Sequence, residues 1–139
     1  MRIITLIIIH CSAVGPGRQS SASDIDRWHR ARGWKGIGYH YVVRRDGSIE
    51  EGRPLEQMGA HCQYHNRHSI GVCYEGGLDV AGHPADTRTE AQKAAMRELL
   101  ERLHGQFPKA MIVGHNVFNP MKACPCFNAQ REYQDLQPK

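Results

Sequence analysis

Two apolar runs stand out along the chain, and each ends in a histidine. The first is Ile3-Ile4-Thr5-Leu6-Ile7-Ile8-Ile9, followed by His10. The second is Ala110-Met111-Ile112-Val113-Gly114, followed by His115. The first run does not alternate and is rich in β-branched residues, which predicts a strand over residues 2–9 buried on both faces. Residues 110–114 read as the last strand. Between the two runs, the Gly/Pro/Ser-rich stretch 14–21 is a loop. Ser23, with Asp26 three residues on, is placed as the cap of a helix. Ile25, Trp28 and Ala31 or Arg32 form its apolar stripe, and Gly33 is its stop. Residues 39–45 read as a strand, Asp46-Gly47 as a hairpin turn, and residues 48–53 as the returning strand. Residues 54–67 are irregular. Residues 69–75 form another buried-type strand, closed by Gly76-Gly77, and residues 78–88 a polar loop. Thr89-Glu90-Ala91-Gln92 is a capping box opening the longest helix, which runs to about His104 with Ala95, Leu99, Leu100 and Leu103 on its apolar face and Gly105 as its stop. A loop with Pro120 and Pro125 follows the last strand, then a short helix from about Asn128 to Leu136. The order β, α, β, β, β, α, β, α predicts a single α/β domain over residues 1–139: a mixed central sheet of about five to six strands flanked by about three helices.

Composition changes this picture little. At 139 residues the chain can bury a real core without staples. The net charge of +4 is too small, and the Lys/Arg residues too scattered, to point to nucleic acid. Five cysteines, an odd number in a chain of this size, argue for reduced thiols rather than a disulfide frame. The amino terminus faintly imitates a signal peptide, but its apolar run is at the short limit for one and far below a membrane span, and cleavage after Ala13 would discard His10. The expectation is a monomer made in the cytoplasm, without an export signal of its own and without a membrane partner.

Two strands that each deliver a histidine, with a cysteine nearby, suggest chemistry. Catalytic zinc takes three protein ligands and keeps one position open, and a buried strand fixes where its last side chain points. His10, His115 and either Cys124 or Cys126 could supply such a site, and spacing does not choose between the cysteines. The alternative is two hydrogen-bonded surface histidines and a buried thiol. Cys62, His65 and His68 make a second grouping, in a segment without a predicted helix, and read instead as an exposed polar loop.

A set of motifs in fixed order is more specific. It comprises Ile9-His10-Cys11-Ser12-Ala13, Gly38-Tyr39-His40-Tyr41 with Arg45-Asp46-Gly47, Asn66-Arg67-His68-Ser69-Ile70-Gly71-Val72, and Gly114-His115 with Lys122-Ala123-Cys124-Pro125. This set resembles the type 2 N-acetylmuramoyl-L-alanine amidases, the family of phage lysozyme-amidases and peptidoglycan recognition proteins, over about residues 6–128. The resemblance implies a zinc cleft at one edge of the sheet and one zinc ion on His10, His115 and Cys124. It also implies Tyr39 as the catalytic tyrosine and Lys122 as the basic residue beside the cysteine ligand. The implied substrate is peptidoglycan, cut at the amide between N-acetylmuramic acid and L-alanine, as by an endolysin acting on the bacterial cell wall after release. His61 and Asn66 are candidate substrate-cleft residues. His40 and Cys11 point away from their catalytic neighbours and read as structural, and Trp28 as core.

Three positions depart from the family pattern. Asn128 stands where an acidic residue usually follows Cys-Pro-x-Phe, Cys126 adds a second thiol, and Asn116 follows His115 where an acidic residue is common. The competing reading is a recognition module that binds peptidoglycan without cutting it. Such relatives lose the thiolate ligand, whereas Cys124 is present here.

Overall fold

A computed structural model describes residues 2–139; Met1 lies outside the described residues. Five strands form one mixed sheet: β1 (Leu6–Cys11), β2 (Tyr41–Val43), β3 (Ile49–Glu51), β4 (Ser69–Tyr74) and β5 (Met111–Gly114). Their order is β3-β2-β4-β1-β5. β4 lies at the centre, parallel to β1 and β2; β1 also runs parallel to the edge strand β5, and only the hairpin strand β3 is antiparallel. Parallel neighbours need crossovers, and the helices α1 (Ala22–Ala31) and α2 (Glu90–Gln106) lie in two of them. A short helix α3 (Ala129–Glu132) follows the loop after β5.

Strand alternation divides the core between two faces. Ile7, Ile9, Val43, Ile70 and Val72 pack with Met96, Leu99, Leu100 and Leu103 of α2. The other face carries Val42 and Cys73, packed with Ile25 of α1, and Ile8 with Val113 and Cys62. Two positions on from Ile8, His10 lies on the same face of the sheet. α2 is tied to the sheet by Gln92, whose amide donates to the Val43 and Glu75 carbonyls.

Several boundaries move from the sequence expectation. β1 begins later and runs through His10 to Cys11, and Ile3 is 82% exposed. The cap of α1 is Ser21, with a capping box to Asp24, not Ser23 with Asp26. Asp26 is engaged elsewhere, accepting from Ile37 N–H and from Arg30. Gly33, at φ +89°, does stop this helix. Gly105 does not end α2, which continues to Gln106 because the Phe107 N–H still bonds to the Leu103 carbonyl. The last predicted helix is two pieces, α3 and a 3-10 turn at Gln134–Leu136.

Candidate metal centre and cleft

Three elements bring His10, His115 and Cys124 together. His10 lies within β1, His115 opens a 3-10 turn directly after β5, and Cys124 sits on the loop that follows. One ligand-capable atom from each lies within 4.8 Å of the others. Since Ile9 pairs with Gly114, the next residue of each strand falls side by side, and the two imidazole centroids are 4.6 Å apart. The cysteine loop is pinned at several points. The Asn116 N–H donates to the Cys124 carbonyl at 2.9 Å, and the buried Tyr74 hydroxyl donates to the Pro125 carbonyl at 2.7 Å. The Cys11 N–H points at Cys124 Sγ, 3.2 Å away. Cys126, by contrast, turns its Sγ toward the Gly77 carbonyl at 3.5 Å and Cys11 Sγ at 4.0 Å.

Protonation states suit metal binding. Burial, reinforced by His61 and His115, holds His10 well below the usual histidine range. His115 is lowered by burial and then by the Lys122 cation. Both rings are therefore neutral at pH 7 and have a lone pair to offer. Two imidazoles and one thiolate are a donor set that zinc accepts, with a position left for a fourth partner.

The trio lies in a cleft of about 660 Å³ whose lining also includes His29, Arg32, Trp34, Tyr39, His61, Asn66, Asn119 and Lys122. No carboxylate lines it among the described residues. The Tyr39 ring stands 5.1 Å from that of His10, and burial first, then the surrounding Cys73, Cys124 and Cys11 thiols, hold its phenol well above the ordinary tyrosine range. It remains a neutral O–H donor at any working pH. Asn66 lines the cleft but spends its side-chain oxygen on the N–H groups of His61 and Cys62, both at 2.9 Å. His61 reaches below the surface to His10, with Nδ1 at 2.9 Å from His10 Nε2.

The second histidine grouping does not converge: Cys62 is buried against Ile8 and Val113, and His65 stacks on Phe118 at 3.9 Å. His40 is structural, its Nδ1 accepting the Gly71 N–H at 3.0 Å. Sequence reasoning passed over Arg32 and Trp34, which line the cleft beyond the end of α1. The available signal was an aromatic residue between Gly33 and Gly36, where no regular element could bury it.

Comparison with known proteins agrees with this geometry. The family model for N-acetylmuramoyl-L-alanine amidase matches residues 1–127. The chain belongs to the N-acetylmuramoyl-L-alanine amidase family. It is 41% identical over 123 residues to an endolysin of Enterobacteria phage K11, covering 88% of this chain and 81% of that protein. It is 38% identical over 128 residues to the endolysin of Escherichia phage T7, covering 92% and 84%. Among solved structures, the N-acetylmuramoyl-L-alanine amidase LysC from Clostridium intestinale superposes with a TM-score of 0.81 at 26% identity, covering 99% of this chain and 88% of LysC.

One departure from the amidase pattern now has a structural account. Asn128 caps α3, its side-chain oxygen accepting the Arg131 N–H at 3.1 Å, so no negative charge is needed there. Support for the carboxyl-terminal end of the cysteine loop comes instead from Arg88. Its guanidinium lies 3.4 Å over the Phe127 ring and bonds to Asp86 and Glu132.

Proposed function

We propose that this amidase hydrolyses the amide between N-acetylmuramic acid and the L-alanine of the stem peptide, using one zinc ion on His10, His115 and Cys124, and serves as an endolysin. The observation that carries the reading is the convergence of two neutral histidines and a cysteine in a cleft with Tyr39 and Lys122. When bound, zinc supplies Lewis acidity to the scissile carbonyl and an activated water. The chain's own residues do the rest. With no carboxylate in the cleft lining, the non-ligand groups able to move or hold a proton near the trio are few, and Tyr39 is a neutral donor beside His10. We assign to Tyr39 the orientation of the attacking water and the passage of its proton. Lys122, a cation on the cleft wall, meets the oxyanion that develops as the carbonyl becomes tetrahedral. Trp34 and Arg32 provide an aromatic and a cationic surface along which glycan and stem peptide could lie. The domain acts as a monomer under this reading, and its partner is peptidoglycan. Among the described residues no helix is long and apolar enough to cross a membrane.

The test is digestion of purified peptidoglycan with and without a chelator, followed by end-group analysis. New L-alanine amino termini without new reducing sugars are expected, and their loss on metal removal. New reducing ends would mean a glycosidase, and digestion indifferent to complete metal removal would rule out the zinc mechanism.

A further inference from the structure

The histidine at the centre of the trio is held from behind by another histidine. His10 Nδ1 faces Cys124 Sγ at 3.9 Å, on the metal side, while Nε2 faces His61 Nδ1 at 2.9 Å. His61 Nε2 in turn lies 3.2 Å from the hydroxyl of Ser69, a fully buried residue on β4. A neutral imidazole carries one N–H and one lone pair. If Nδ1 of His10 gives its lone pair to the metal, which is the reading proposed above, Nε2 must carry the proton. It then donates to His61 Nδ1, and the His61 proton must sit on Nε2, directed at Ser69. One ligand bond thus sets the tautomers of two rings.

We infer that His61 is a positioning residue for the metal: its Nδ1 accepts the His10 Nε2–H, fixing that ligand's tautomer and ring orientation, rather than contacting substrate as its place in the cleft first suggests. Hydrogen-bond partners behind metal-bound histidines orient the ring and raise its basicity. Here the partner is a second imidazole, which adds no negative charge.

The surroundings of His61 are built for this placement. Asn66 grips the backbone on both sides of the ring's attachment, through the N–H groups of His61 and Cys62. Two glycines make room for the ring itself. A Cβ added at Gly71 on β4 would stand 2.7 Å from both Cγ and Cδ2 of His61, and one at Gly59 would stand 2.7 Å from Cδ2. Those are contacts real Cβ atoms do not make, and the ring, wedged between β4 and His10, has little room to yield. His115 has no comparable side-chain hydrogen bond among the described residues, so orientation of the ligand set from behind rests on His10.

The experiment is competition of the full-length protein against a chromophoric zinc chelator. Wild type is compared with His61→Phe, which keeps a ring but has no acceptor, with His61→Asn, whose side-chain oxygen can replace Nδ1, and with Gly71→Ala. A weakening of zinc affinity of roughly 10- to 100-fold is expected for His61→Phe, with much of it recovered in His61→Asn. Gly71→Ala, which touches no ligand, should weaken binding in the same direction. Long-range nitrogen–proton NMR couplings on the zinc-loaded wild type should show His10 protonated at Nε2 and His61 at Nε2. This readout does not depend on any variant folding. If His61→Phe binds zinc as tightly as wild type, or if His10 carries its proton on Nδ1, the inference is overturned. If wild type itself binds no zinc, the metal reading beneath it fails, which is a distinct result.

Discussion

Arg88 lies far from any ligand in the sequence, yet replacing it should loosen the fold beside the metal loop. Its side chain is 1% exposed and bonds to both Asp86 and Glu132, with Nε and Nη2 contacts of 2.9 and 2.8 Å, while its plane covers Phe127. Burial alone would lower its pKa, but the hydrogen bonds it donates to Glu132 and Asp86 hold it above the ordinary arginine value. Arg88→Met preserves most of the buried volume and removes the charge. Deleting one partner of a buried ion pair typically costs about 3–5 kcal/mol. The two carboxylates left behind are 31% and 39% exposed and can recover some hydration, which brings the expectation down to about 2–3 kcal/mol. At an unfolding entropy of about 2.1 cal/mol/K per residue, a domain of this length would lose roughly 7–10 °C in Tm. Thermal unfolding of the metal-free protein by circular dichroism measures this directly. Zinc affinity should fall as well, because Phe127 follows Cys124 by three residues and loses its cover. Arg88→Lys should be intermediate, since one ammonium cannot replace a fork that meets two carboxylates. A Tm for Arg88→Met within about 2 °C of wild type would refute the reasoning, because burial and four contacts would then carry no net stabilisation.

Other predictions concern the site and its supports. Cys124→Ser should abolish stoichiometric zinc binding and peptidoglycan cleavage, whereas Cys126→Ser should retain both; loss of metal in Cys126→Ser alone would reverse the ligand assignment. Asn128→Ala should cost about 1 kcal/mol through loss of the α3 cap, and Asn128→Asp nothing or less, as read from urea unfolding. For pH, burial holds His40 at about 4 in the folded chain against 6.5 unfolded. The unfolded state therefore binds the extra proton first, so stability is full above pH 6.5 and falls by up to about 1.4 kcal/mol per pH unit toward pH 4. Urea midpoints measured from pH 7.5 to 4.5 should decline, and a His40→Asn variant should decline less steeply.

Much of the fold was legible because local rules and tertiary packing agreed. The apolar runs at residues 3–9 and 110–114 form the two neighbouring strands that deliver His10 and His115. The Thr89–Gln92 capping box and the Asp46-Gly47 turn lie where they were expected. The misplacements have a common cause. Ser21 rather than Ser23 caps α1 because Asp26 is drawn to Ile37 and Arg30, and α2 passes Gly105 because Phe107 still closes its last hydrogen bond. Both outcomes depend on contacts between residues that patterning treats separately.

The sequence by itself determined which residue types could make a site: two histidines following β-forming runs, a tyrosine, a lysine and a cysteine, in an order that matches an amidase. It left Cys124 and Cys126 equivalent on spacing, because residues two apart on an irregular loop have no periodicity to tell them apart. Tertiary structure turned one toward His10 and the other toward Gly77. It also decided the place of His61. Sequence set it in an irregular loop fifty-one positions from His10. Only the room left by Gly59 and Gly71, and the parallel pairing of β1 with β4, set its ring against that of His10. Hydrogen-bond partners of this kind are chosen by distances of about 3 Å in space, which no one-dimensional pattern encodes.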